Sequence, residues 1–266
     1  MAVQMHVAHS AMVKGAGVIA GGPYYCAQAS FWTAYYNCMA PGWWTPLPRA
    51  AQLKAYTDDF AAAGRIDATK NIAAAKVWLF TGTNDHTVQP EVVRELQSYY
   101  ALYGVKPQLV ADKPAGHAMP TENAGNKDCG VTREPYINDC NYDAAGELLK
   151  HLLGPLKPPA KEGPLREFDQ GYLYVPKACE KERCRVHVAF HGCRQSGEQL
   201  PREAGYNRWA ESNRLIVLYP QVKASFWNPR GCWDWWGYTG AAYATKDGEQ
   251  IRAVRAMLER LSAPLK

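Results

Sequence analysis

The chain has 266 residues, 47% hydrophobic and 21% charged, a balance that supports one sizeable packed core and excludes a disordered or fibrous protein. No stretch approaches the roughly 18 uninterrupted apolar residues that a membrane-spanning helix needs, so an integral helical membrane protein is excluded. The formal charge of +5 comes from scattered Lys and Arg rather than a basic run, which argues for solubility and against a nucleic-acid partner.

Apolar side chains at Met1, Met5, Ala8 and Met12 make a helical stripe over residues 1–13, with no capping residue ahead of it. Residues 15–22 (GAGVIAGG) read as a buried strand ended by Pro23, and this order is typical of a parallel α/β sheet. Residues 24–48 are rich in aromatics, Pro and Cys, without a clean period, and predict a long disulfide-tied loop over a site or a core. A helix over residues 50–63 leads to a second strand over 76–81 (KVWLFT), which ends in the polar loop Gly82, Thr83, Asn84, Asp85. After Pro90, a helix over residues 91–103 buries Val92, Val93, Leu96 and Tyr100. Residues 107–110 form a third strand, ending near Gly116 and His117.

A Pro/Gly/Lys stretch over residues 154–164 reads as a surface connection. Alternation over 168–175 predicts an antiparallel or edge strand. Residues 185–191 (RVHVAFH) and 214–220 (RLIVLYP) are strands separated by a helix near 204–212. The last helix, around 249–261, places Ile251, Val254, Met257 and Leu261 on one face. The expected architecture is a single α/β domain over residues 1–266, with a mostly parallel sheet and helices on both faces.

The eight cysteines fall into short-range pairs, Cys26 with Cys38, Cys129 with Cys140, and Cys179 with Cys184, leaving Cys193 and Cys232. No CxxC and no zinc-finger spacing occurs, so four disulfides are favoured over a metal site, although spacing alone does not fix connectivity. Disulfides imply an oxidising, extracellular or periplasmic compartment. The residues after Met1 nevertheless lack the basic start and small-residue cleavage site of a signal peptide.

In open α/β sheets ligands bind beyond the carboxyl ends of strands, where Asp85 and His117 both fall. An Asp in one post-strand loop and a His in the next match the carboxylate and base of an α/β-hydrolase triad. The alternative is a helix-capping Asp and an ordinary turn His. His191, Gly192 and Cys193 resemble the HG-type motif whose backbone N–H groups form an oxyanion hole, with Cys193 as donor. No G-x-S-x-G occurs, and Ser10, Ser30, Ser98, Ser196, Ser212 and Ser225 lie in poor contexts for a nucleophile elbow. An uncapped helix followed by a small-residue strand is what should follow such an elbow, so the serine is expected just before Met1.

With MAVQMHVAHS, GAGVIAGGPYYCA, TGTNDHTVQP, GHAMPT, VAFHGCRQ and SFWNPRGCWDWWGYTG, the chain over nearly its whole length resembles the extracellular poly(3-hydroxybutyrate) depolymerases. The resemblance implies a circularly permuted α/β-hydrolase fold, with HGC after the histidine, and a serine esterase that uses no metal and no organic cofactor. It further implies an ester or polyester substrate, with no nucleic acid or membrane partner. A bridge from Cys193 to Cys232 would carry the following aromatic segment to the oxyanion loop, so Trp233 or Trp236 is expected to line the acyl groove, with Asn228 as a further substrate-binding residue. Alternation along an extended segment would give Trp235 to the core. The same fold and triad would serve a feruloyl or acetyl-xylan esterase, and a catalytically silent polymer-binding homologue is a further reading.

Overall fold

The computed structural model describes residues 1–123 and 125–262, and it divides into two compact units. The first comprises Met1–His117 and Asp234–Ala253, the second Ala118–Trp233 and the chain from Val254.

The first unit opens with helix α1 (Ala2–Ala8) and strand β1 (Gly15–Ile19). Helix α2 (Ala50–Ala62) leads to β2 (Lys76–Phe80), and α3 (Pro90–Ala101) to β3 (Gln108–Val110). The strands pair in parallel in the order β1, β2, β3. Central β2 has neighbours on both edges, and Val77, Trp78, Leu79 and Phe80 are all buried, so it reads as an unbroken apolar run rather than an alternating one. Helix α3 starts on Pro90, where the missing N–H costs nothing, and buries the expected Val92, Val93, Leu96 and Tyr100 together with Tyr99. Helix α1 is shorter than its stripe implies. After Ala8 the chain turns, and the Ala11 N–H goes to the Asp67 carboxylate instead of continuing the helix.

The second unit holds two sheets. The shorter strands β4 (Met119–Thr121), β5 (Lys127–Asp128) and β6 (Ile137–Asp139) are parallel, with β6 in the middle. Helix α4 (Ala144–Leu153) follows, capped by the Asp143 carboxylate, which accepts from the Gly146 N–H at 2.9 Å. The larger sheet is formed by β7 (Arg166–Glu167), β8 (Gly171–Tyr174), β9 (Arg185–Val188) and β10 (Leu215–Pro220), in the order β7, β8, β10, β9. Here β10 runs parallel to β9 and antiparallel to β8, as the alternation over 168–175 predicts. Helices α5 (Gln199–Glu203) and α6 (Tyr206–Asn213) make the crossover between β9 and β10. The last helix, α7 (Glu249–Ser262), begins in the first unit, and its later part packs Met257, Leu258 and Leu261 on the core of Leu173, Ile216 and Leu218. All four expected disulfides form. Among the described residues no helix is long and apolar enough to cross a membrane.

Candidate active site

In the first unit the loop after β2 meets the loop after β3. Gly82 makes this possible: a Cβ there would lie 2.0 Å from the Ala115 carbonyl oxygen, so any larger residue would push the loops apart. The Thr83 N–H donates to the Lys113 carbonyl at 2.8 Å, and the Asn84 N–H to Ala115 at 3.1 Å. This ladder delivers Asp85 to His117.

Asp85 is only 1% exposed. Its Oδ1 accepts from the Thr87 and Val88 N–H groups, both at 2.9 Å, and its Oδ2 lies 2.9 Å from His117 Nδ1. The two N–H bonds close the turn ahead of α3, whose own N-cap is Gln89, so the carboxylate orders its loop and orients the imidazole at once. An ionised Asp85 accepts only, so Nδ1 carries the proton and the basic lone pair of His117 falls on Nε2. The imidazole remains about one-third exposed, which leaves it reachable by a substrate.

In the second unit, His191, Gly192 and Cys193 follow β9. The Val222 N–H donates to His191 Nε2 at 3.0 Å, which places the proton on Nδ1, and Nδ1 donates to the Gly192 carbonyl at 2.7 Å. Burial holds the His191 pKa below its ordinary value, opposed by the Gly192 hydrogen bond, so the ring serves as a neutral clasp. Gln195 is the other clasp, and sequence reasoning missed it. Its Oε1 accepts from the Gly192 N–H at 2.7 Å, while its Nε2 donates to the Pro135 and Tyr136 carbonyls at 3.1 and 2.8 Å. The Arg194 N–H goes to the Arg230 carbonyl, and the Cys193–Cys232 disulfide closes the loop. The Cys193 N–H donates to no group among the described residues, and the residue is exposed. The loop is thus stiff and presents one uncommitted donor.

The aromatic segment differs from the expected alternation. Trp233 is buried, edge-on to Phe190 with ring centroids 5.1 Å apart, whereas Trp235 and Trp236 are half-buried. The reason is Asp234. Its Oδ1 accepts from the N–H groups of Trp236, Gly237 and Tyr238, and its Oδ2 from the Thr239 N–H and hydroxyl. Residues 234–239 therefore curl around a carboxylate instead of running extended, and period-two alternation does not apply. Trp236 meets Phe31 and Tyr238, at centroid distances of 6.2 and 4.9 Å. Asn228 is buried and bonds the Cys232 N–H and carbonyl, at 2.9 and 2.8 Å. No cluster of three or more His, Cys, Asp or Glu able to hold a metal occurs among the described residues.

Comparison with known proteins gives the family and the fold. A family model described as esterase PHB depolymerase matches residues 170–262. The chain is 41% identical to a poly(3-hydroxybutyrate) depolymerase of Delftia acidovorans over 289 aligned positions, covering 99% of this chain and 57% of that protein, so it spans little more than half of that relative. It is 33% identical to a polyhydroxybutyrate depolymerase of Talaromyces funiculosus, covering 98% of this chain and 86% of that one. Among solved structures, the PHB depolymerase of Penicillium funiculosum matches with a TM-score of 0.84 and 31% identity, over 99% of this chain and 92% of that one. A serine-to-alanine variant of a PHB depolymerase, complexed with an R3HB trimer, matches with the same values. The fold is α/β-hydrolase-like, with mostly parallel strands.

Proposed function

The chain belongs to the PHB depolymerase family of esterases, and from that premise we propose that it hydrolyses the ester bonds of poly(3-hydroxybutyrate) or a related short-chain polyester, with His117 as base and Asp85 as its orienting carboxylate. The observation that carries this reading is the 2.9 Å contact between Asp85 Oδ2 and His117 Nδ1, at the carboxyl ends of adjacent parallel strands.

In the proposed reaction a serine hydroxyl loses its proton to His117 Nε2 as its oxygen attacks the ester carbonyl, and Asp85 stabilises the imidazolium. The negative charge that develops on the carbonyl oxygen is met by the Cys193 N–H. Collapse of the tetrahedral intermediate breaks the bond to the alkoxide of the next repeat, which takes the proton from His117. Water then repeats both steps, releasing a carboxylic acid and restoring the serine. The nucleophile is proposed to lie outside these 266 residues, because no G-x-S-x-G occurs within them. The half-buried Trp236 is the aromatic proposed against the acyl chain, while Trp233, against Phe190 and His191, and Asn228, bonded to Cys232, support the HGC loop. The order Asp85, His117, HGC suits a permuted hydrolase, and the four disulfides suit an extracellular enzyme.

The test is hydrolysis of p-nitrophenyl butyrate, a polyester film and methyl ferulate, together with labelling by a fluorophosphonate. The 266-residue chain alone is expected to turn over poorly and to resist labelling. A polypeptide that also carries the serine elbow should be labelled and should degrade the film. Labelling of the 266-residue chain at a normal enzymatic rate would refute the outside nucleophile. A preference for the ferulate, or film binding with no hydrolysis by the extended polypeptide, would refute the depolymerase reading.

A further inference from the structure

Two polar side chains, Gln4 and His6, are buried in helix α1. His6 stays within the local core, against the Tyr100 hydroxyl. Gln4 reaches further: its Nε2 donates at 2.8 Å to the carbonyl of Asp234, 230 positions along the chain. A buried carboxamide is costly unless it is hydrogen-bonded, and Leu would serve the helix and its packing equally well here. The amide is therefore to be judged by what it holds.

It holds the residue at the root of the aromatic loop. The Asp234 N–H donates to Gln250 Oε1 at 2.7 Å, and Gln250 Nε2 donates to the Tyr238 hydroxyl at 2.7 Å. Both main-chain groups of Asp234 are thus engaged by side-chain amides, the carbonyl from α1 and the N–H from the first turn of α7, while its carboxylate shapes residues 236–239. The loop also meets a wall. Gly237 has a φ of +93°, and a Cβ there would lie 3.0 Å from the Ala29 Cα. Three parts of the first unit, α1, the start of α7 and the chain at Ala29, therefore fix where the Trp236 indole stands against Phe31.

We infer that Gln4 and Gln250 are positioning residues for acyl recognition: through the main chain of Asp234 they hold Trp236 in register with α1, and so set the acyl length that the groove accepts. This rests on the proposed esterase reading, in which α1 follows the serine elbow and Trp236 meets the acyl chain. A bond from that helix to the root of that loop fixes the spacing between them. Neither amide is assigned a contact with substrate; both act through Asp234 and Trp236. An acetyl group ends short of such an indole, whereas a butyryl group adds two methylene groups, each worth about fourfold in affinity when buried.

The experiment has two arms, on Gln4→Leu, Gln250→Leu and Trp236→Ala. In the 266-residue chain, indole N–H resonances are recorded by heteronuclear NMR, with the Trp236 signal identified by its loss in Trp236→Ala. Both glutamine variants should shift that signal while that of Trp209, in α6, stays in place. In the catalytically complete protein, KM and kcat are measured on p-nitrophenyl acetate and butyrate. Each glutamine variant should raise KM about three- to tenfold for butyrate and less than about twofold for acetate, with kcat held within about twofold, because the lost contact is made equally in the ground and transition states. In the Trp236→Ala background, Gln4→Leu should change neither constant further. Gln250 is only half-buried, so Gln250→Leu decides the matter should Gln4→Leu fail to fold. A Trp236 signal unmoved in both variants overturns the proposal, whatever ester the protein cleaves. So do equal losses on acetate and butyrate, or an effect of Gln4→Leu that persists without the indole, either of which a merely structural amide would give. A moved signal in a protein that hydrolyses neither ester refutes the esterase reading and leaves the placement of Trp236 by the two amides standing.

Discussion

Asp85 and Asp234 are both 1% exposed and both belong to the first unit, yet they are used in opposite ways. Asp85 gives one oxygen to two backbone N–H groups and keeps the other for His117. Asp234 gives both oxygens to its own loop, through four backbone N–H groups and a hydroxyl, and its backbone N–H is held by Gln250 at 2.7 Å. A buried carboxylate fully occupied by neighbouring amides is a scaffold, whereas one with an oxygen directed at an imidazole can serve chemistry. Burial alone does not distinguish them. The allocation of the lone pairs does.

That contrast can be broken by substitution. The largest expected effect is on rate: in the catalytically complete protein, His117→Ala should lower kcat on a soluble ester by about six orders of magnitude, as loss of a triad base does. Circular dichroism should be unchanged, because the imidazole is partly exposed. Asp234→Ala should act on stability instead. It strands four amides and a hydroxyl in a half-buried loop, at a cost of about 2–4 kcal/mol in urea unfolding, with a changed near-ultraviolet signal from Trp235 and Trp236. A stability cost below about 1 kcal/mol would mean that the loop re-forms without its carboxylate.

A third, comparable effect concerns pH. Buried His6, with Nδ1 2.8 Å from the Tyr100 hydroxyl, has its pKa lowered by burial from 6.5 to about 4. Its folded-state pKa lies below the unfolded value, so unfolded chains bind the proton first. The associated stability is present above pH 6.5 and is lost as pH falls towards 4, by up to roughly 3 kcal/mol. Burial lowers the His187 pKa to about 4 as well, so His6→Phe should remove about half of the slope across that window, and an unchanged slope would remove His6 as a source. The smallest effect is expected at Gln195. Gln195→Ala removes three bonds from a partly exposed clasp, at about 1–2 kcal/mol, and should loosen the HGC loop, raising amide exchange at Gly192 and Cys193. Unaltered exchange would show that the disulfide and His191 suffice.

The Asp85–His117 pair was legible because strand ends are read from apolar runs, and the residues just after them carry chemistry in this fold class. The disulfides were legible because three pairs are close in sequence. Gly82 was not, since its requirement is a clash with Ala115, 33 positions away in the chain and visible only once β2 and β3 lie side by side. Residues 119–139 resisted reading because strands of two or three residues are too short to display a period. Helix α4, by contrast, was overlooked although its Asp143 cap and the apolar Ala144, Ala145, Leu148 and Leu149 were there to be read. The burial order of Trp233 and Trp235 was misjudged for a third reason. Alternation assumes an extended backbone, and the Asp234 carboxylate wraps that segment into a turn.

The most direct test of the central claim is the Asp85→Asn variant of the catalytically complete protein, with kcat on a soluble ester and melting temperature measured on the same sample. The amide can still accept from Thr87 and Val88, but its NH₂ then faces His117 and forces the proton off Nδ1. The account predicts a loss in kcat of about four orders of magnitude with melting shifted by only a few degrees. A kcat within tenfold of the parent, or a loss explained entirely by unfolding, would contradict it and leave Asp85 a loop-forming residue like Asp234.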